Sequence, residues 1–172
     1  MKSKHLVLYL ITILVACGGI GTSWGYSTGT PLWTHFSFHF VHGNVFHLAA
    51  NMLVVFTINF GRDDKWWIWA VSYIVAVVSS FIIATTTPTI GLSGMLFAYY
   101  GIIFLKDGAQ WKPLLQLTAF MAVSCLFASR MAVGLHFICL LIGALIGGVI
   151  DIKKEIKNQD EIYGKKKQGT IL

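Results

Sequence analysis

The sequence is poor in charge. Of its 172 residues 12% are charged and 56% hydrophobic, against roughly 25% and about 45–50% in an ordinary soluble domain. A water-soluble monomer of this composition would precipitate, and a mean hydropathy of +0.71 assigns much of the chain to lipid. Cysteine is scarce as well: Cys17, Cys125 and Cys139 all lie in apolar runs, which excludes a disulfide framework and leaves packing as their default role. The motif His-Glu-x-x-His is absent, and with it a familiar helical zinc site. The net charge of +6 would suggest nucleic acid only if the basic residues covered a folded, water-exposed face. They flank apolar runs instead, so no nucleic-acid partner is expected.

What is present is a series of apolar segments. A membrane-crossing helix needs about 20 mostly apolar residues, and six runs approach that length: 6–21, 45–60, 66–86, 91–105, 114–129 and 131–150. The expected fold is therefore all-α, a polytopic six-span membrane domain over residues 1–150 followed by a basic cytoplasmic tail over 151–172. Only a first outer loop, about 22–44, and the tail exceed a tight turn. Lys2, Lys4, Arg62, Lys65, Lys106, Lys112 and the tail lysines 153, 154, 157, 165, 166 and 167 fall on one side, with Arg130 alone on the other. All seven carboxylates (Asp63, Asp64, Asp107, Asp151, Glu155, Asp160, Glu161) share the basic side. Cytoplasmic loops carry the excess of Lys and Arg, so both termini are expected inside, with the tail lysines near anionic lipid. Lys2 and Lys4 before a short apolar run also fit a signal peptide, and Leu14-Val15-Ala16-Cys17 looks like a lipoprotein cleavage box. Cleavage there would leave five spans.

Strongly polar side chains inside membrane helices are costly and point to function. Three places qualify. His47 and Asn51, four residues apart in the second span, stack on one face. Gly91-Leu92-Ser93-Gly94 opens a fourth span of only about 22 Å, short of a ~30 Å hydrocarbon core, so Ser93 is expected at the floor of a recessed, wet pocket. His136 lies shortly inside the sixth span. All three sites are expected at one depth, in the outer half. Taken singly, each is a packing or helix–helix hydrogen-bonding residue. Together, Ser93 and His136 supply a nucleophile and a base of suitable pKa. No carboxylate is available on that side, which makes any serine mechanism a dyad. Asn51, His47 and backbone N–H groups near Ser93 are the candidate oxyanion donors.

With His47-x-x-x-Asn51, Gly91-Leu92-Ser93-Gly94 and His136 in that order, the chain resembles the rhomboid family of intramembrane serine proteases across all six spans. The resemblance implies Ser93 as nucleophile, His136 as base, and His47 and Asn51 as oxyanion-binding residues. Gly91, Leu92 and Gly94 complete the motif, the backbone at Leu92 and Ser93 serving the oxyanion. It further implies transmembrane protein substrates cleaved near the outer leaflet, no cofactor or metal, and residence in a bacterial inner membrane with the active site open outward. Trp33 and His42 match the family's aromatic and histidine positions in the first loop. Thr34 stands where many bacterial members have Arg, so the loop is expected to be anchored differently. Cys139 replaces the first glycine of the sixth-span Gly-x-x-x-Gly, with Gly143 and Gly147 following, so close packing is expected a turn later. The usual Glu after the second span is missing, Asp63 and Asp64 being nearest.

Two other classes stay open on sequence grounds: an inactive rhomboid-like protein that binds transmembrane segments, and a metal or haem subunit ligated by His35, His39 and His42, whose spacing would share one helix face. Structural histidines are the simpler reading, since ligand partners are missing. Substrate identity and oligomeric state are not legible.

Overall fold

The computed structural model describes residues 3–61, 66–106, 111–112, 115–116, 119 and 132–169. Its described elements are helical: α1 (Ser3–Gly18), α2 (Thr34–Ser37), a 3-10 turn (Phe38–Phe40), α3 (Val45–Gly61), α4 (Trp67–Ile82), α5 (Ser93–Lys106) and α6 (Val133–Gly169). Most of the predicted fifth span, 114–129, lies outside the described residues, as do Asp63, Asp64, Cys125 and Arg130. One described helix, over Val133–Ile162, is long and apolar enough to cross a membrane by itself; those at His5–Gly18, Val45–Ile58, Trp67–Ile82 and Ser93–Lys106 are shorter and apolar.

Helix ends follow local chemistry. α1 stops where Gly19 turns into the left-handed region at φ 66°, its N–H donating to the Val15 carbonyl at 3.0 Å, a glycine C-terminal cap. α3 starts where Asn44 Oδ1 accepts the His47 N–H at 2.8 Å, an Asn cap on the third N–H of the helix. In α4 the buried Ser72, Ser79 and Ser80 donate to the carbonyls of Ile68, Val75 and Val77, which satisfies their hydroxyls within the helix. The predicted third span ends early, at Ile82, and residues 83–92 run as irregular chain before α5.

α5 is the axis of the molecule: Ser93 to Ile103 are all buried. Its closest neighbour is α6, and the reason is glycine. A Cβ on Gly101 would strike the Leu140 carbonyl, one on Gly143 the Ala98 carbonyl and one on Gly147 the Ile102 carbonyl. The two backbones therefore meet directly, as small residues allow in membrane helix pairs. Gly143 and Gly147 make this contact; Cys139 lies one turn earlier and faces Gly94. α6 continues unbroken past Ile150 to Gly169, with residues 152–162 exposed.

The first loop is folded back onto the body. His42 pairs with Gly19 and Gly21 through backbone hydrogen bonds, Tyr26 pairs with Thr89, and the Thr28 N–H donates to the Thr85 carbonyl at 2.7 Å. Phe38 and His39 are fully buried beneath it. Thr34 closes its own turn. Its Oγ1 donates to the Pro31 carbonyl at 2.7 Å and meets Thr30 Oγ1 at 3.0 Å.

Candidate active site

Ser93 is the first residue of α5, and His136 lies in the first turn of α6, its N–H donating to the Ala132 carbonyl. The α5–α6 backbone contact brings them together across 43 residues of chain: His136 Nε2 and Ser93 Oγ are 2.7 Å apart, both side chains buried. For the serine to donate, Nε2 must be unprotonated, which puts the ring proton on Nδ1. That atom is buried and has no hydrogen-bond partner among the described residues. The ring is oriented by stacking instead. Phe97, one turn after Ser93, lies against it at 4.5 Å between centroids and 18° between planes. An aromatic face also favours a positive charge formed on that ring.

The second cluster comes from α3. Asn51 is buried and its Nδ2 donates to the His47 carbonyl at 2.8 Å, while Oδ1 has no partner. His47 is only half-buried and lies over Gly91. Gly91 adopts φ 103°, a conformation open to glycine and few others. A Cβ there would also come 2.7 Å from His47 Cε1 and Nε2. Gly91 is thus required twice, by backbone angle and by space. Its N–H donates to the Phe38 carbonyl at 2.8 Å, which ties the motif to the first loop. Leu92 is fully buried, and its N–H and that of Ser93 open α5, where a helix's first N–H groups lack intrahelical acceptors. Gly94 is less constrained: a Cβ would make ordinary contacts with Leu135, Ala76 and Cys139.

Sequence reasoning missed two participants. Phe97 was recoverable, being four residues from Ser93 on the same face. The Phe38 carbonyl was not, since any residue offers one. His42, which matches the family's first-loop histidine by position, has its ring buried 5.1 Å from that of His47 in an edge-to-face arrangement. His35, His39 and His42 do not share a face. His35 Nδ1 is 2.8 Å from Ser80 Oγ, His39 lies among Phe38, Phe40 and Tyr73, and His42 turns toward His47. Among the described residues no three His, Cys, Asp or Glu side chains converge as metal ligands do.

A polar Ser–His pair between two apolar helices, with a His/Asn pair beside a glycine of positive φ, is an arrangement suited to acyl transfer. Comparison with known families matches the rhomboid domain over residues 29–153, which takes in every candidate site residue. No curated protein and no solved structure matches the chain. With the family's domain covering most of its length and the site assembled on the expected helices, this chain is a membrane protein that belongs to the rhomboid family.

Proposed function

We propose that the protein is an intramembrane serine endopeptidase that hydrolyses peptide bonds in or near the transmembrane segments of membrane-anchored proteins. The observation that carries this reading is the 2.7 Å hydrogen bond between Ser93 Oγ and His136 Nε2. His136 takes the serine proton as Oγ attacks the scissile carbonyl, and the tetrahedral oxyanion is met by Asn51 Nδ2, His47 and the N–H groups opening α5. His136 then protonates the leaving amine, and water, activated by the same imidazole, resolves the acyl-enzyme. With Nδ1 facing no carboxylate, the imidazolium intermediate relies on the Phe97 face and on brevity. The substrate helix must unwind locally, because its carbonyls are engaged in helical hydrogen bonds; segments weakened by Gly or Pro are favoured.

In this reading the chain crosses the membrane six times with both termini cytoplasmic, and the site opens to the outer side of a bacterial inner membrane. The one-sided distribution of Lys and Arg supports that orientation. Retention of both Ser93 and His136 favours an active enzyme over an inactive relative. The test is cleavage of a model single-span substrate, together with fluorophosphonate labelling, by the wild type, Ser93→Ala and His136→Ala. Cleavage and Ser93-dependent labelling of the wild type alone are expected. Labelling that survives Ser93→Ala, or a wild type that neither labels nor cleaves, overturns the proposal.

A further inference from the structure

His39 and His42 are unlike the other histidines. Both are fully buried, and among the described residues all four of their ring nitrogens lack a hydrogen-bond partner. They stand in a five-residue segment that holds the site from one side: the Phe38 carbonyl accepts the Gly91 N–H, the His42 backbone pairs with Gly19 and Gly21, and the His42 ring abuts His47. An imidazolium at either place would have no counter-ion among the described residues. Around His39 stand Phe38, Phe40 and Tyr73 of α4. α1 and α5 also pack on this turn, and their titratable groups are His5, Tyr9, Cys17, Tyr99 and Tyr100, with Lys4 and Lys106 at the far ends. Facing His42 is His47 of α3, itself a base. No carboxylate occurs anywhere in α1, α3, α4 or α5.

We propose that His39 and His42 make the first loop an acid-labile clasp: a proton taken up by either detaches residues 38–42 from Gly91 and His47 and takes the site apart reversibly. Burial pushes His39 down to about 3 from an ordinary 6.5. Burial, with a smaller contribution from His47, does the same to His42. The released loop therefore binds more protons than the closed one below pH 6.5, so closure weakens as the pH falls through 6.5 and goes on weakening toward about 3. At pH 5 each histidine favours release by roughly 30-fold, and the two together by about 10³-fold. His35 provides a contrast, because an imidazolium there can still donate from Nδ1 to Ser80 Oγ.

The functional consequence, loss of cleavage in acid, rests on the protease reading; opening of the loop does not. The experiment is hydrogen exchange on the full chain without substrate at pH 7.5 and pH 5, corrected for intrinsic rates, following residues 26–44. Protection is expected to fall in the wild type by up to about 10³-fold, by up to about 30-fold in His39→Phe and in His42→Phe, and not at all in the double variant. Unchanged wild-type protection, or a double variant that loses protection as the wild type does, overturns the proposal. If the double variant fails to fold, NMR of the histidine-labelled wild type decides. Protonation of His39 and His42 in step with lost protection supports the clasp, and lost protection with both rings neutral overturns it. A protein inert toward substrates and probes would sink the protease reading and leave this result standing.

Discussion

The two sides of the site are held by different physics. On one side Ser93 and His136 sit on helices whose backbones touch through Gly101, Gly143 and Gly147, so their separation is set by contacts that no side-chain rotation can relax. On the other side His47 and Gly91 depend on the first loop, which is attached by a few backbone hydrogen bonds and has two unpartnered imidazoles at its centre. In the proposed mechanism the nucleophile and base are thus a rigid pair, and the proposed oxyanion side is held by a part that water and protons can loosen. On that reading the enzyme can lose its transition-state donors while keeping its dyad.

The sharpest way to separate the sides is to remove the dyad itself. Ser93→Ala or His136→Ala should reduce cleavage to background with the thermal transition nearly unchanged, measured on the same preparation. Next, Gly143→Val drives a side chain into the Ala98 carbonyl and should cost about 1–3 kcal/mol or more of stability, lowering kcat as Ser93 and His136 separate. A variant as stable and active as the wild type would break the rigid half of the comparison. Gly91→Ala attacks the other half: it meets both an unfavourable φ and the His47 ring. We expect kcat to fall roughly 10²–10³-fold, the loss typical of a displaced oxyanion donor, with KM and fluorophosphonate labelling less affected. The smallest effect is expected for Ser80→Ala, which removes the His35 contact; a hydrogen bond of this kind contributes about 0.5–1.5 kcal/mol, visible as faster exchange in the loop and little change in kcat.

Much of the rigid half was legible beforehand. Gly91-Leu92-Ser93-Gly94 and His136 early in the last apolar run singled out Ser93 and His136, which the fold joins by a hydrogen bond, because polar side chains inside apolar runs stand out in local residue types. The later position of close packing, at Gly143 and Gly147 rather than Cys139, was legible too, since only glycine admits a carbonyl where a Cβ would stand. The loop was not. Its histidines occur at helical spacing, yet the chain passes from α2 through a 3-10 turn into extended backbone, and the three rings part company. Nor does composition announce that Phe38 offers Gly91 a carbonyl, or that α6 continues past Ile150.

By itself the sequence determined the class of the molecule, an all-helical membrane chain, and the residue types available for chemistry. Its carboxylates all fall outside α1, α3, α4, α5 and the apolar part of α6, and among the described residues none meets the His136 ring. Only the tertiary structure decided that Ser93 and His136 hydrogen bond, that Phe97 stacks on the His136 ring, and that His39 and His42 are buried. Those outcomes depend on contacts between residues far apart in the chain. Such contacts form only when backbones pack at specific places, and local patterns do not encode where they will meet.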